Sequence, residues 1–473
     1  MRTAVVVGSG PNGLAGAVRL AQAGLEVTVL EAADTYGGGT RTTERIVPGL
    51  LHDDCAAFHP TGVVSPFFRT LDLDQHGLTW LWPEIDMAHP LDDGRAGVVS
   101  RGFDETDRTL GTDARRWRRV FGPLARTFDK IAVDAMGPAV HLPRHPIAFG
   151  RFGPQALMPA SVTVRHWKDD PARALYTGVA AHAFGRLDTP LSGSVGLMLT
   201  AAAHSVGWPV AEGGSRSISD ALVRLLGTLG GTVRTGVRVT SRDQLREAIG
   251  ADPDVVLLDL APAGALDLLG DALPGRIQRA FRRYEYGPAV HKVDYAIEGD
   301  VPWTNADCRR AGTLHLGGTA EEIRQVEAAT ARGEMPERPF ALIGQQYLAD
   351  PGRSAGSVNP VWAYAHVPAG YTGDATEALT AQIERFAPGF RDRIVGTFVR
   401  GAADMAAYNA NYVGGDIGAG ANTARQIVFR PRAALNPYSL GIPGHYLCSS
   451  ATPPGGGVHG MAGFYAAESA LRR

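Results

Sequence analysis

The sequence predicts an α/β protein whose N-terminal part is a parallel sheet with connecting helices. Residues 3–7 read TAVVV, a continuous apolar run that suits a strand buried on both faces of such a sheet. Residues 8–13 form a G-x-G-x-x-G loop, and a helix-forming stretch ending at Gly24 leads to a second apolar strand at 26–30. A strand, glycine loop, helix and strand in this order predict a Rossmann-type unit that binds a dinucleotide.

The residue types in this loop match what a dinucleotide requires. Gly8 permits the tight turn, Gly10 lets the backbone approach a pyrophosphate, and Gly13 lets helix and strand pack closely. Glu31 follows the second strand, where an acid bonds the ribose hydroxyls. The predicted contacts in this unit are Gly8, Gly10, Pro11, Asn12, Gly13, Glu31 and Ala32.

A second glycine loop follows the predicted ribose acid. Residues 36–42 read YGGGTRT, which resembles the G-G-x-x-R-[ST] extension of glutathione-reductase-like FAD proteins. Glycines there let the backbone reach the pyrophosphate, and an arginine supplies cationic donors. The resemblance implies non-covalent FAD, with contacts from Gly37, Gly38, Gly39, Thr40 and Arg41.

The C-terminus carries a matching signature. A short strand at 444–448 precedes a turn, a glycine loop at 455–461 and a final helix at 462–471. A glycine loop that opens a helix is a site for close backbone approach and for negative charge. In flavoproteins of this type the last unit lines the ribityl chain and the flavin. The implied contacts are Ser450, Gly456, Gly457, Val458 and His459, with Val239 against the adenine.

Five stretches extend the resemblance over nearly the whole chain. They are residues 37–60, 207–214, 286–294, 362–368 and 414–417. Together they resemble the phytoene desaturase-related family of FAD-dependent oxidoreductases, in particular its pyridine nucleotide-disulfide oxidoreductase domain-containing protein 2-like group. The redox cysteine pair that this group name suggests is missing, because the three cysteines are widely spaced.

The resemblance implies two domains, both discontinuous. The FAD-binding domain is predicted at residues 1–91, 208–275 and 404–473. An inserted α+β substrate domain is predicted at residues 92–207 and 276–403.

Composition limits the partners of the chain. The formal net charge is −2 over 473 residues, which argues against nucleic acid. No metal-ligand pattern is present, and no apolar run reaches the roughly 20 residues that span a bilayer. Peripheral contact with a membrane remains open. The cysteine usage, and a strand pattern that begins at Thr3 in place of a leader, predict a reducing, cytoplasmic compartment.

The candidates for acid–base chemistry lie in two motifs. His52, Asp53, Asp54 and His59 belong to HDDCAAFHP, and His459 belongs to the C-terminal loop. Family resemblance places these groups beside the flavin, where a histidine moves protons near neutral pH. The alternative is that they hydrogen-bond loops or the cofactor and never touch substrate.

The function expected from this resemblance is that of an FAD-dependent dehydrogenase or oxidase. It would desaturate a hydrophobic small molecule by hydride transfer to flavin N5, with oxygen, a quinone or another carrier as electron acceptor. Trp362 and Tyr364 either line the substrate pocket or belong to the core. The alternatives are a redox-neutral flavin-dependent isomerase, an amine oxidase and a non-enzymatic escort-type binding protein.

Overall fold

A five-stranded parallel sheet forms the centre of the nucleotide-binding part in the computed structural model, which describes residues 2–472. From one edge to the other, its strands are His445–Leu447, Val255–Leu258, Thr3–Val7, Glu26–Leu30 and Thr232–Arg234. All four neighbouring pairs are parallel. The predicted α/β fold class with a Rossmann-type domain is confirmed.

Side chains of the first strand alternate between two cores. Ala4 and Val6 pack in one apolar cluster, and Val5 and Val7 pack in another on the opposite face. The helices over the first face are Pro11–Gln22, Arg216–Thr228 and Met461–Leu471; those over the second are Arg242–Ile249, Pro262–Leu269 and Gly275–Arg282. Burial on both faces explains why the strand is a continuous apolar run.

A seven-stranded mixed sheet organises the second part of the molecule. Its strands, in spatial order, are Ile394–Arg400, Ala289–Glu298, Val358–Val367, Ala341–Gly344, Ala311–Leu316, Ile85–Pro90 and Ala96–Val99. Neighbours are antiparallel except Ile85–Pro90 and Ala311–Leu316, which are parallel. Ile85–Pro90 lies inside the segment 1–91 assigned to the FAD domain, yet it pairs within this sheet. The proposed domain boundaries remain a prediction.

Helices accompany this sheet. The longer ones are Asp104–Leu110, Ala114–Ala125, Phe128–Ala135, Pro146–Ala156, Asp170–Ala180, Ser192–Val206, Ala320–Ala331, Thr376–Phe386 and Ala402–Tyr408. Short helices are Pro60–Val63, Ala160–Thr163 and Ala424–Phe429, and two short strand pairs join Thr42–Thr43 to His52–Asp53 and Trp80–Leu81 to Val210–Ala211. Within residues 2–472, no helix is long and apolar enough to cross a membrane.

The two ends of the chain meet where the first helix crosses the last. A Cβ on Gly463 would lie only 1.8 Å from the Asn12 carbonyl oxygen, and one on Gly16 would lie 3.2 Å from the Gly463 carbonyl oxygen. Both glycines are therefore needed for the backbones to approach this closely. The contact brings the C-terminal glycine loop over the N-terminal one, since each loop opens one of these two helices.

Gly463→Ala is expected to lower the free energy of unfolding by about 3 kcal/mol, because the added methyl group forces the two helices apart. Gly227→Ala is the matched control, since Gly227 also lies in a helix but has open space around its Cβ direction. The control should be neutral or up to about 1 kcal/mol more stable. Urea unfolding of both variants measures the difference. Equal stability of the two variants would contradict the close-contact explanation.

Candidate functional site

The first glycine loop connects strand Thr3–Val7 to helix Pro11–Gln22. Gly8 has a φ of +96°, and a Cβ there would lie 2.8 Å from the Asp259 carbonyl oxygen. A Cβ on Gly13 would lie 2.2 Å from the Gly8 carbonyl oxygen. The tight turn and close packing predicted for these glycines are present, and the N-terminus of the helix faces the loop.

Glu31 is fixed at the end of the second strand. Its Oε2 atom accepts the Ser9 backbone N–H at 3.0 Å, and its Oε1 atom accepts the Ala33 N–H at 2.9 Å. The guanidinium of Arg41 lies 3.4 Å from Oε1. These contacts hold a carboxylate beside the loop, where a ribose is expected.

The second glycine loop packs directly on the first. Residues Gly38–Thr40 form one turn of 3₁₀ helix, and a Cβ on Gly38 would lie 2.9 Å from the Gly10 Cα atom. A Cβ on Gly39 would lie 2.2 Å from the Tyr412 hydroxyl oxygen. Larger residues at either position would therefore separate the loop from its neighbours.

The C-terminal loop closes the arrangement from the other side. The Asn12 side-chain amide donates to the Ser450 hydroxyl at 3.2 Å, which ties the two ends of the chain together. The Ser65 hydroxyl donates to the His459 carbonyl oxygen at 2.6 Å. His459 Nδ1 accepts the Met461 N–H at 3.1 Å, so this side chain supports the turn into the last helix.

The three loops line one cavity of about 1220 Å³. It is bordered by every predicted cofactor contact except Gly13 and Gly37, which lie behind the wall: Gly8, Gly10, Pro11, Asn12, Glu31, Ala32, Gly38, Gly39, Thr40, Arg41, Val239, Ser450, Gly456, Gly457, Val458 and His459. The structure thus brings together residues from the beginning, middle and end of the chain.

The cavity continues past the loops into an apolar chamber. Its walls there come from helices Phe128–Ala135, Pro146–Ala156 and Ser192–Val206 and from strand Val358–Val367. The lining side chains of this part are largely apolar or aromatic: Met136, Phe149, Phe152, Leu157, Phe184, Leu191, Val195, Met198, Leu199, Trp208, Leu342, Trp362 and Tyr364. Trp362 and Tyr364 are buried and face the cavity, which fits the substrate-pocket interpretation.

Four of the five predicted acid–base candidates, His52, Asp53, Asp54 and His59, are not among the lining residues. His52 Nε2 donates to the Tyr295 carbonyl oxygen at 3.2 Å, and His59 Nε2 lies 2.8 Å from the Ser215 hydroxyl. Asp54 pairs with Arg400 at 3.0 Å. Burial lowers the pKa of His59 to about 4 and lowers that of His52. Their catalytic roles remain a prediction, whereas the structure shows them in buried contacts that join segments.

His459 is the one acid–base candidate on the cavity wall. Burial lowers the pKa of its imidazole to about 4, so the ring is neutral at physiological pH. A neutral ring suits its hydrogen bond to the Met461 N–H, which needs an unprotonated Nδ1.

Asp53 forms the centre of a buried polar cluster. Its Oδ2 atom lies 2.5 Å from Arg353 Nη1, and both side chains are inaccessible to solvent. Its Oδ1 atom accepts the Thr42 hydroxyl and the Ser215 N–H, each at 2.7 Å. Burial alone would raise the pKa of Asp53, but the Arg353 charge and these donors hold it below its usual value. Arg353, which sequence reasoning missed, has no local motif to mark it.

Comparisons with known proteins agree with this architecture. The family model of an NAD(P)-binding Rossmann-like domain matches residues 6–71, the region of the first two glycine loops. Among solved structures, putrescine oxidase bound to putrescine has a TM-score of 0.61 and 17% identity, covering 100% of this chain and 98% of that one. This likeness supports the fold.

Two curated relatives support the family resemblance. Pyridine nucleotide-disulfide oxidoreductase domain-containing protein 2 of Rattus norvegicus is 24% identical over 99% of this chain and 93% of the rat protein. The hydroxyneurosporene desaturase of Cereibacter sphaeroides is 30% identical over 50% of this chain and 49% of that enzyme. The predicted resemblance to the phytoene desaturase-related family and to this group is confirmed.

Proposed function

We propose that this chain is a flavin-dependent oxidoreductase that binds FAD non-covalently and desaturates a hydrophobic small molecule. The observation that carries the proposal is the continuity of one cavity, which joins three nucleotide-type loops to an apolar chamber. Ligand pockets in proteins are usually about 300–1,000 Å³, so about 1220 Å³ leaves room for a dinucleotide and a second molecule.

The loops fit FAD on several counts. A Cβ would meet backbone atoms at Gly8 and Gly38 and the Asp259 carboxylate at Gly10. Glu31 is positioned for a ribose. The helix that begins at Pro11 offers its N-terminus to phosphate, and Arg41 adds a cation on the cavity wall.

The chamber walls favour an uncharged substrate. Bound FAD would supply a hydride acceptor at its N5 position. Trp362 and Tyr364 pack edge to face with ring centroids 5.0 Å apart, and Phe184 stacks beside Tyr364. These packed rings would orient the substrate and exclude water from the chamber.

An amine substrate is less compatible with the charges present. Asp134, the carboxylate on the chamber wall, accepts the backbone N–H groups of Arg144 and His145 at 2.7 and 2.9 Å. Glu31 is held by Ser9 and Ala33. Asp259, the third carboxylate on the cavity wall, accepts the Gly13 N–H, so each of these three carboxylates is already engaged by backbone donors of the protein.

Asp259 is the unusual feature of the nucleotide region. Its Oδ2 atom accepts the Gly13 N–H at 3.0 Å, and the side chain reaches the cavity wall. Burial, with a smaller contribution from the Glu31 charge, raises the pKa of Asp259 to about 7. A pyrophosphate beside it would favour the protonated form further, so binding of FAD should take up a proton.

The proposal is tested first by the absorbance of the purified protein before and after heat denaturation. Flavin bands near roughly 370 and 450 nm, released into solution, are expected for non-covalent FAD. Hydrophobic donors are then screened anaerobically for bleaching of the 450 nm band, and a product lighter by two hydrogens identifies desaturation. Turnover only after prereduction, without a change of mass, would instead identify an isomerase. Protein without flavin after reconstitution overturns the proposal.

For Asp259, FAD affinity should fall as pH rises above about 7, by at most about tenfold per pH unit, because the bound state holds the additional proton. Asp259→Asn should remove this dependence and bind FAD more tightly at pH 8.5. Asp254→Asn is the matched control, since Asp254 precedes the same strand at its opposite end and bonds the Thr3 N–H. Fluorescence titration of apoprotein with FAD measures the affinities. A pH-independent wild type would contradict the explanation.

We also propose that the mouth of the chamber rests on a membrane surface. Leu157 lines the cavity and is 61% exposed, so the chamber opens beside it. Four further exposed apolar side chains belong to the same stretch of the chain, residues 140–158: Val140, Leu142, Ile147 and Met158. Large exposed apolar patches mark interaction sites. A lipophilic substrate, or a quinone as electron acceptor, would pass from the bilayer into the chamber.

The charge of this segment favours anionic lipid. No aspartate or glutamate lies between Asp134 and Asp169, whereas Arg144 and Arg151 are exposed within residues 140–158. Basic side chains beside inserted apolar groups are the pattern of interfacial helices.

Leu142→Asp combined with Ile147→Asp should reduce flotation with phosphatidylglycerol-containing vesicles at least tenfold, because two charges would have to enter the interface. Val395→Asp is the control, since Val395 is 55% exposed on the edge of the seven-stranded sheet. The membrane proposal would be contradicted if the wild-type protein does not float with the vesicles, or if Val395→Asp reduces flotation as much as the double substitution does.

A further inference from the structure

Four histidines cluster beside the apolar chamber, and the proposed chemistry does not use them. His89 and His315 lie on neighbouring strands of the seven-stranded sheet, His366 lies on strand Val358–Val367, and His182 follows helix Asp170–Ala180. His182 is the member that reaches the cavity wall. It stands beside Trp208, with ring centroids 5.4 Å apart at an angle of 80°.

His182 is hydrogen-bonded to a second, deeper histidine. The Nε2 atoms of His182 and His315 are 2.9 Å apart, so one of them donates and the other accepts. Burial lowers the pKa of His182 to about 3 and holds that of His315 well below its usual value. Both rings are therefore neutral, and each carries one proton.

The surroundings of His315 decide the direction of this bond. His315 is fully buried, and its Nδ1 atom has no hydrogen-bond partner among the described residues. If His182 donated, the proton of His315 would sit on Nδ1 as a buried N–H without an acceptor, which is the rarer and costlier arrangement. If His315 donates from Nε2, only a bare lone pair is left at Nδ1.

The other two histidines follow the same rule. His89 donates from Nε2 to the Gly318 carbonyl oxygen at 2.8 Å, and its unpartnered Nδ1 is a lone pair. His366 donates from Nδ1 to Glu327 at 2.8 Å, and its Nε2 atom has no hydrogen-bond partner among the described residues. His89 and His366 each donate to the acceptor that faces them. Among residues 2–472, His315 has only His182 as acceptor, which leaves His182 with its proton on Nδ1.

We propose that His182 presents an Nδ1–H donor to the chamber and positions a substrate that carries a neutral oxygen acceptor, a carbonyl group, within its hydrophobic skeleton. Phe184, Trp208 and Leu342 on the chamber wall are apolar or aromatic, so this donor distinguishes substrates by the location of one oxygen. A pure hydrocarbon would leave the donor unpaired. The inference rests on the proposed function only in placing substrate in this chamber.

The tautomer is tested by long-range ¹H–¹⁵N NMR on the FAD-loaded protein with ¹⁵N-labelled histidine. The His182 signals are assigned by their loss in His182→Phe. The expected result is a protonated Nδ1 and an unprotonated Nε2 in His182, with the reverse in His315. A proton on His182 Nε2, or protons on both of its nitrogens, overturns the inference. This readout does not depend on turnover, so it separates failure of the inference from failure of the proposed function.

The donor role is tested with two probes of matched skeleton, 4-phenylbutan-2-one and butylbenzene. Binding is followed by perturbation of tryptophan fluorescence. In His182→Phe the ketone should bind about fivefold more weakly, the typical effect of one neutral hydrogen bond, while butylbenzene affinity stays within twofold. His182→Gln, whose amide restores a donor, should recover ketone binding.

The control is His166→Phe, which removes an exposed imidazole away from the chamber. It should bind both probes as the wild type does. Equal loss of both probes in His182→Phe, or an unchanged affinity for the ketone, overturns the inference.

Discussion

The close approach of the first and last helices is the constraint on which the site depends. Gly463 lies so near the Asn12 carbonyl oxygen that no side chain fits between them. Because each helix begins at a glycine loop, this contact places the C-terminal loop over the N-terminal one, and the Asn12–Ser450 hydrogen bond secures them. Without this helix contact, the C-terminal glycine loop would not close its side of the cavity.

A second constraint ties the short strand His52–Asp53 to the turn Pro351–Arg353 through buried charge. Asp53 and Arg353 are both inaccessible to solvent, and Arg353 also contacts Asp350 at 3.0 Å and the Ala211 carbonyl oxygen at 2.7 Å. Breaking such a pair by removing one partner costs about 3–5 kcal/mol, because the remaining charge is buried alone. The cluster therefore holds the HDDCAAFHP motif rigidly, and its polar groups act by positioning loops around the cavity.

The cavity changes character along its length. Charged and backbone donors surround the nucleotide end, aromatic rings surround the middle, and apolar helices form the mouth beside exposed leucine and isoleucine side chains. Burial keeps His459 and His182 neutral, so polar contacts in the middle are directional and uncharged. This change along the cavity is the basis on which we propose a lipophilic substrate.

The sequence by itself determined the Rossmann unit, the glycine loops and Glu31, because turns, close approaches and strand patterns depend on residues near one another in the chain. Tertiary structure alone decided the partners of the buried polar groups: Asp53 meets Arg353, 300 positions away, and Asp54 meets Arg400, 346 positions away. His182 and His315 are likewise 133 positions apart, and neither lies in a motif. Hydrogen bonds and ion pairs form between atoms a few ångströms apart in space, and the order of residues does not encode that distance until the sheets have packed.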